Sequence, residues 1–368
     1  MAVTRSPSDD LSTSNASQSG GSGVGEGHLA LVPTWLPFGL PADPTGSLLF
    51  GEGQNSAGSG GDGVSIGVIS ATPVAVFSPS NAALSLSGSS AEAQQTNDAL
   101  VNQHAVEMAG MGGNGGDGNV VIGGDLGTHA GSGGNGVFYG ALVSSDVAVF
   151  DPVNTAVAAG PGSTATADQT NNAALLQGGV QISGVGGSGG NHNFAGGAAP
   201  GGDAGPLVFT GDNHAGDGGN GTFFGSLVDV NVAIYSPINI AVAGAGGSAH
   251  ANQTNDVLFS QGSTQIAGVG GDGGGFNMAS DTIFTGGDTA GQGGDGHSVG
   301  SMVGVNVGYF EPVNIAVPAG GTAEAQQVDH VLYDQHSLQM GGVGGVGGEF
   351  NLVDSSHADL VHDLLANG

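Results

Sequence analysis

The sequence contains almost no basic residues. Lysine is absent, Arg5 is the only arginine, and 31 acidic residues give a formal net charge of −30. Because nucleic-acid binding uses lysine and arginine to displace counterions from phosphate, this composition excludes a nucleic-acid partner. The same deficit excludes electrostatic binding to an anionic membrane surface. We interpret the acids as groups that keep the chain soluble by repulsion and, secondarily, as ligands for divalent cations.

Cysteine is also absent, and only 5% of the residues are aromatic. The chain therefore forms neither disulfides nor thiolate metal sites, and we expect a thin core of small side chains. Met1 to Gly25 lacks the apolar run of a secretory signal peptide. His28 to Phe50 is apolar, but four prolines interrupt it, which does not suit a membrane helix. We expect no membrane insertion, and export, if it occurs, by a route independent of a signal peptide.

Glycine is abundant, with 77 of the 368 residues, and it is part of an internal repeat. Four degenerate copies of a unit of about 75 residues align on one glycine and on an aromatic-x-Pro-x-Asn block. The aligned positions are Gly63, Gly136, Gly221 and Gly296 for the glycine, and Phe77 to Asn81, Phe150 to Asn154, Tyr235 to Asn239 and Phe310 to Asn314 for the block. A unit that cannot bury its apolar face alone can do so against its neighbours, so we expect stacked modules.

The repeat divides the chain into seven segments. They are a flexible tail (1–27), an apolar segment rich in proline (28–58), repeat 1 (59–132), repeat 2 (133–217), repeat 3 (218–292), repeat 4 (293–350) and a C-terminal segment (351–368). The apolar segment is expected either to dock on a neighbouring subunit or to cap the first repeat. In the last segment, Ser356 to Asp359 resembles a capping box, which predicts a short helix that caps the array or serves as an export signal.

The third copy shows the pattern of one unit most clearly. Gly218 to Gly221 is a turn or bulge signal, and from Leu227 to Tyr235 aliphatic residues alternate with Asp, Asn and Ala, which predicts a half-buried β-strand. Pro237 is expected to end the pairing, and Ile238 to Ala243 is expected to form a second short strand. The predicted fold class is therefore all-β: a β-solenoid-like array of short stacked strands.

A run in which alanine alternates with polar residues follows in each copy. The runs begin at Ala91, Ala165, Ala249 and Ala323. With only alanine facing inward, such a strand packs closely against another backbone layer. Gln103, Gln177, Gln261 and Gln335 occupy one later position, and Asn97, Asn171, Asn255 and Asp329 occupy another. Equivalent amides in stacked copies predict hydrogen-bonded ladders, and a turn-capping role for each Asn is the alternative.

Each unit closes with a glycine tract in which two glycines recur in every three residues. The tracts begin at Gly110, Gly184, Gly268 and Gly341. A period of three favours a polyproline-II-like backbone, and glycine lets such helices approach until their main chains hydrogen-bond. A flexible linker is the alternative interpretation.

Four aspartates within glycine-rich stretches are the candidate metal ligands: Asp62, Asp117, Asp272 and Asp295. Their surroundings resemble the glycine- and aspartate-rich nonapeptides of RTX proteins, and that resemblance implies a β-roll fold and bound calcium. The match is partial, because Gly112 to Asp117 fits six positions, Asn119 occupies the apolar eighth, and no second nonapeptide follows in tandem. Calcium is therefore the one cofactor that we consider.

The triplet tracts are similar to the glycine-rich domains of mycobacterial PE_PGRS proteins, phage-tail adhesins and some antifreeze proteins, which implies packed polyglycine-II helices. The likeness covers only the tracts. No nucleophile with a partnered histidine and acid, no phosphate loop with its lysine and no histidine metal motif is found, so we expect no enzyme. The expected function is a secreted, self-assembling structural protein of a fibre, matrix or surface layer, with itself as partner. A calcium-dependent adhesin or carbohydrate-binding module is the alternative.

Overall fold

The computed structural model describes residues 48–50, 55–87, 89–122, 128–196, 213–280 and 289–354. Over these ranges the chain forms 22 β-strands and no helix, and every strand pairing is parallel. The predicted all-β class is confirmed, and parallel strands in stacked sheets are consistent with a β-solenoid-like fold. The flexible tail and the predicted C-terminal helix lie outside the described residues.

The strands group into four successive layers, preceded by β1 at Leu48–Phe50. Layer 1 contains β2 Asn55–Ala57, β3 Gly63–Ala71, β4 Val74–Phe77, β5 Ser80–Ser85, β6 Ala91–Met111 and β7 Val120–Ile122. Layer 2 contains β8 Thr128–Ala130, β9 Gly136–Phe150, β10 Val153–Ala158, β11 Thr164–Val185 and β12 Phe194–Gly196. Layer 3 contains β13 Asn213–Ala215, β14 Gly221–Tyr235, β15 Ile238–Ala245, β16 Ser248–Val269 and β17 Met278–Ser280. Layer 4 contains β18 Thr289–Ala290, β19 Gly296–Phe310, β20 Val313–Ala319, β21 Thr322–Val343 and β22 Leu352–Asp354.

Each strand pairs with its equivalent in the next layer, which produces five sheets. We call β3, β4, β9, β14 and β19 the front sheet, β5, β10, β15 and β20 the side sheet, and β6, β11, β16 and β21 the back sheet. Two short sheets contain the remaining strands. The register aligns the copies, so that Gly63, Gly136, Gly221 and Gly296 are neighbours across the front sheet.

Proline separates the front strands from the side strands. Tyr235 ends β14, Ile238 begins β15, and Pro237 lies between them, as the sequence predicts. Proline stands at the same place in the other layers, where it removes a main-chain donor and interrupts the strand. The front and side sheets together form one wall of the molecule, and the long strands of the back sheet face that wall.

The core between the walls consists of small side chains and stacked rings. One cluster contains only alanines: Ala91, Ala93, Ala156, Ala158, Ala165, Ala167, Ala241, Ala243, Ala249 and Ala251. The alanine runs therefore face inward, as predicted, and the side sheet is the layer that they contact. Further along the interior, the rings of Phe77, Phe150, Tyr235 and Phe310 form a stacked column with centroids 4.9 to 5.2 Å apart.

In the front strands the valines lie on the outer face, although their hydrophobicity suggests that they face the core. In β14 the inward residues include Asp229, Asn231 and Ala233, which are fully buried, whereas Val228, Val230 and Val232 alternate with them on the outside. The buried tyrosine at the end of the strand, Tyr235, has the same parity as Asp229. The position of the large ring and of the facing back sheet therefore determines which face is buried.

The glycine segments bring the two walls into main-chain contact. Gly134 donates its N–H to the Gly113 carbonyl, and Gly187 donates to the Gly134 carbonyl, both at 2.8 Å. This staircase alternates between walls through all the layers, and Gly112 also donates to the Val185 carbonyl of the next layer. An added Cβ on Gly187 would lie 2.0 Å from the Gly113 oxygen, so only glycine fits.

Three sequence predictions need correction or qualification. Gly218 to Gly221 was expected to be a turn or bulge, but Gly219 donates to the Gly187 carbonyl and accepts from the Gly271 N–H, so this stretch runs along the wall. Within the C-terminal segment, Leu352–Asp354 is a strand that pairs with β17. In the apolar segment 28–58, β1 pairs with β7, which places part of it against its own chain.

Candidate functional site: buried amide ladders that end on carboxylates

Glutamines at one position of the back sheet form a ladder through the four layers. Gln177 Nε2 donates to Gln103 Oε1 at 2.9 Å, and Gln261 Nε2 donates to Gln177 Oε1 at 2.8 Å. Gln335 continues the ladder by donating to Gln261. The second hydrogen of Gln177 reaches the Val232 carbonyl in the front sheet at 3.1 Å. Each rung therefore joins neighbouring layers and also joins the two walls.

The asparagine column forms a ladder of the same kind. Asn97 Nδ2 donates to Asn171 Oδ1 at 2.7 Å, Asn171 donates to Asn255 at 2.9 Å, and Asn255 donates to Asp329 Oδ1 at 2.7 Å. Of the two roles that the sequence allows for these asparagines, the structure shows the ladder. The donors here point from each layer to the following one, which is the reverse of the glutamine ladder.

A third ladder begins on a glutamate. Gln181 Nε2 donates to Glu107 Oε2 at 2.8 Å, Gln265 donates to Gln181 at 2.9 Å, and Gln339 donates to Gln265 at 2.9 Å. Glu107 is only 3% exposed, and its Oε1 is buried without a hydrogen-bond partner among the described residues. Burial, with a smaller contribution from the Asp229 carboxylate, raises the pKa of Glu107 to about 7.

Two further carboxylates lie in the front wall of the same part of the interior. Asp146 and Asp229 are both fully buried. Burial, followed by repulsion from Asp229, raises the pKa of Asp146 to about 7, and burial also raises the pKa of Asp229. We call Glu107, Asp146 and Asp229 the carboxylate cluster. It has no basic partner among the described residues, because the chain lacks lysine and its one arginine is Arg5.

Small residues in the back sheet make room for the carboxylate cluster. A Cβ on Gly179 would lie 2.6 Å from the Asp229 carboxylate, so the aspartate occupies the volume that a side chain at 179 would need. In layer 4 the glycine is in the front sheet instead. Gly304 aligns with Asp229, and Ser337 of the back sheet fills the space next to Gly304. Packing and polarity are therefore matched across the walls, layer by layer.

A shallow groove of about 250 Å³ lies on the outer surface of the back sheet, opposite the carboxylate cluster. Gly178 and Gly262 form its floor, and the rings of His104 and His336 lean over these glycines from the flanking layers. Added Cβ atoms would lie 3.0 Å from His104 Nδ1 and 2.5 Å from His336 Nε2. The groove presents two imidazoles, and no acid is among its lining residues.

The four predicted calcium ligands are placed apart from one another. Asp62 Oδ1 accepts the Asn135 N–H at 2.7 Å, Asp117 Oδ1 accepts the Asn191 N–H at 2.6 Å, and Asp272 Oδ1 accepts the Val346 N–H at 2.8 Å. The fourth residue, Asp295, donates its own N–H to Asn220 Oδ1 at 2.7 Å.

The first and last of these aspartates share one column but lie in layers 1 and 4, and the other two occupy different columns. Within the described ranges, no three His, Asp or Glu side chains are grouped closely enough to hold a metal ion. Three of the glycine-rich aspartates thus act as acceptors for main-chain bonds between layers, and Asp295 donates such a bond.

The outer face of the front sheet is mostly apolar and carries no acid. Its exposed members include Ile66 at 77%, Val74 at 58%, Tyr139 at 44% and Val303 at 41%. None of the outward positions in β3, β4, β9, β14 and β19 is an acid, whereas the outer face of the back sheet presents several, among them Asp98, Asp256 and Asp334. The negative charge of the chain is therefore distributed unevenly between the two walls.

The carboxylate cluster is not among the sites that the sequence predicts. A signal for Glu107 was present, because it stands where the other three copies have Gln181, Gln265 and Gln339. The other copies have an amide at this buried position, and the amide donates a hydrogen bond to the neighbouring layer. An acid there indicates that one donor of the ladder is missing. Asp146 and Asp229 gave no such signal, since alternation with valine made them look solvent-exposed.

No family model, curated protein or solved structure matches this chain. In the described part of the chain, no helix has the length and apolar character needed to cross a membrane. The candidate site is therefore interpreted from its own geometry.

Proposed function

We propose that the protein is a self-assembling structural protein whose copies stack end to end, layer 4 of one copy on layer 1 of the next. The observation that carries this proposal is the match between the two end layers. Gly63, Phe77, Asn81 and Gln103 of layer 1 correspond to Gly296, Phe310, Asn314 and Gln335 of layer 4. A junction between copies would therefore repeat contacts that already exist between layers.

The end strands of the front, side and back sheets support this proposal because their outer edges lack partners among the described residues, whereas in layer 1 the outer edge of β7 is paired with β1. In the back sheet the order is β21, β16, β11, β6, so β21 and β6 are its two edges. Nearly every residue of β21 is exposed, whereas the equivalent residues of β16 are buried in alternation. Unpaired N–H and C=O groups on a long strand are a template for pairing with another chain.

We further propose that the glycine tracts adopt a polyglycine-II-like conformation. Bonds to the next layer and to the opposite wall recur with a period of three: Gly112 and Gly115 donate to the next layer, and Gly113 and Gly116 donate to the opposite wall. A backbone with three residues per turn directs successive groups to different neighbours in this way. The product would be a durable, lysine-free body suited to a fibre, matrix or surface layer outside the cell.

Assembly is tested with a charge placed inside the open end. We call the core cluster around Phe150, Tyr235 and Phe259 the ring cluster. Val331 packs against it from layer 4, and in a stack Val331 would adjoin Ala99 of the next copy. The Val331→Lys change leaves the lysine solvated in a free chain but buries it in a stack, so stacking should be lost. The Val328→Lys change, on the exposed face of the same strand, is the matched control and should still assemble.

The readouts are sedimentation velocity across a concentration series and electron microscopy of the full chain. At pH 5 we expect linear particles for the wild type and the control, and monomers for Val331→Lys. A wild type that stays monomeric at every concentration and at every pH between 5 and 8 would overturn the proposal. Disassembly of wild-type particles by a calcium chelator would favour the calcium-dependent adhesin instead.

A further inference from the structure

We infer that end-to-end stacking is gated by protonation of two carboxyl groups, Glu107 at one end of the array and Asp329 at the other. This inference rests on the proposed function, since it specifies the conditions under which the ends join. Each acid occupies the terminal position of an amide ladder, and each lies at the end where the next copy would have to receive a hydrogen bond from it.

The number of donors in each ladder decides whether the ladder can continue. The ladder of Glu107 has three junctions within the chain, and its three glutamines supply the three donors. An endless stack adds a fourth junction, between Gln339 of one copy and Glu107 of the next. No amide hydrogen remains along the ladder for that junction, whichever way the amides are oriented. Two buried oxygens would therefore face each other unless the glutamic acid carries a proton.

The ladder that ends on Asp329 obeys the same count in the opposite direction. Three asparagines supply the three donors, and Asp329 accepts the last bond from Asn255. In a stack, Asp329 would next meet Asn97 of the following copy and would have to donate. An ionised carboxylate only accepts, whereas a protonated one has an O–H to donate.

Other ladders contain only amides, and they place no such condition on stacking. Asn81, Asn154, Asn239 and Asn314 form one, in which each Nδ2 donates to the next layer at 2.9 to 3.0 Å. Four amides supply four donors for the four junctions of an endless stack. Within one chain, each ladder that contains one of the two acids has a donor for every junction. In a stack, the two acids are the positions at which a donor is missing.

The surroundings of Glu107 favour a proton on its carboxyl group when the end is covered. Glu107 faces Asp229 and Asp146 in the front wall and Gln181 in the next layer, with no cationic group among them. Asp329 faces Asn255, the phenol of Tyr235, and Gln327, whose Nε2 donates to Asp329 Oδ2 at 2.8 Å. Stacking would cover the exposed Asp329 and would add an oxygen beside Glu107, so each junction needs one proton to complete the hydrogen bonds of its ladder.

The experiment compares three forms of the full chain between pH 5 and pH 8. They are the wild type, the ladder variant Glu107→Gln with Asp329→Asn, and a charge control, Glu92→Gln with Asp334→Asn. The control changes one exposed, outward acid on each of the same two strands, so it matches the loss of charge without touching a buried ladder. Sedimentation gives the concentration at which assembly begins, and electron microscopy shows whether the particles are linear.

We expect the wild type and the charge control to assemble when acidified and to remain monomeric at pH 8. The ladder variant should assemble at pH 8 at a concentration at least about tenfold lower than the wild type requires, because a buried unsatisfied group costs a factor of that order. Wild type and ladder variant with the same pH-independent assembly would overturn the gating while leaving the proposed function intact. Monomers of all three forms at every pH would instead overturn the proposed function. A shift in the charge control equal to that of the ladder variant would assign the effect to net charge and would also overturn the gating.

Discussion

The glycine tracts and the carboxylate cluster are two parts of one interior that the chain fills in opposite ways. At the tracts the main chains of the two walls hydrogen-bond directly, and an added Cβ on Gly270 would lie 1.9 Å from the Gly294 oxygen. At the carboxylate cluster the same walls are separated by Glu, Gln, Asp and Ser side chains. The alanine cluster is intermediate, with single methyl groups between the walls.

This difference shows that side-chain size sets both the separation of the walls and the kind of stabilisation. Where the backbones touch, specificity comes from main-chain donors and acceptors, and no side chain is tolerated. Where the walls are further apart, small apolar side chains do not fill the space between them. Hydrogen-bonded ladders of polar side chains join the walls there instead. An acid in a ladder lacks the N–H donor of an amide. The ladders therefore tolerate an acid only where it is protonated, or where it lies at the end of the ladder and no donor is needed.

The largest effect is expected from adding a methyl group within a glycine tract. Gly270→Ala places a Cβ 1.9 Å from a main-chain oxygen in layer 3, whereas Gly344→Ala, at the same position in layer 4, meets the Gly294 oxygen only at 3.6 Å. We expect Gly270→Ala to lower the free energy of unfolding by about 4 kcal/mol or to prevent folding. Gly344→Ala should cost less than about 1 kcal/mol, as measured by urea denaturation. Equal losses would contradict the close approach of the walls.

A smaller effect, dependent on pH, is expected from neutralising the carboxylate cluster. The pKa of Asp146 is raised from 3.8 to about 7, so the folded chain holds a proton that the unfolded chain releases between these values. The stabilising contribution is therefore present below about pH 4 and is lost as the pH rises through 7.

We expect Asp146→Asn to be more stable than the wild type by about 3 kcal/mol at pH 8, with a much smaller difference at pH 5. Urea denaturation at the two pH values measures this difference. Asp256→Asn, on the exposed face of the back sheet, is the control and should change stability little at either pH. A variant less stable than the wild type at pH 8 would show that Asp146 is ionised and stabilising in the folded chain.

The smallest effect concerns the valine face of the front sheet. Val230→Thr changes an outward side chain of β14, and we expect a loss within about 0.5 kcal/mol. Ala233→Thr, on the buried face of the same strand, should cost about 2 kcal/mol because it overfills the ring cluster. Thermal unfolding of the two variants measures both, and the reverse order would show that the valines face the core.

Much of the fold could be predicted from the repeat. The aligned glycines predicted the register, the alanine runs predicted an inward face of methyl groups, and equivalent amides predicted ladders. These predictions succeed because they depend on the comparison of four copies, in which a position that varies between Glu, Thr and His cannot be buried. The orientation of the front strands could not be predicted in this way, because valine, aspartate and asparagine all recur there.

The sequence by itself determined the stacking, since a period repeated four times with glycine, proline and amides at constant positions allows equivalent strands to pair in register. It also determined that a buried acid has no lysine partner, because the chain contains no lysine. Only the tertiary structure decided which acids are buried, and that Glu107 and Asp329 lie at opposite ends of their ladders. The physical reason is that burial and donor counts depend on the neighbour across the wall and in the next layer, and that neighbour is distant in sequence.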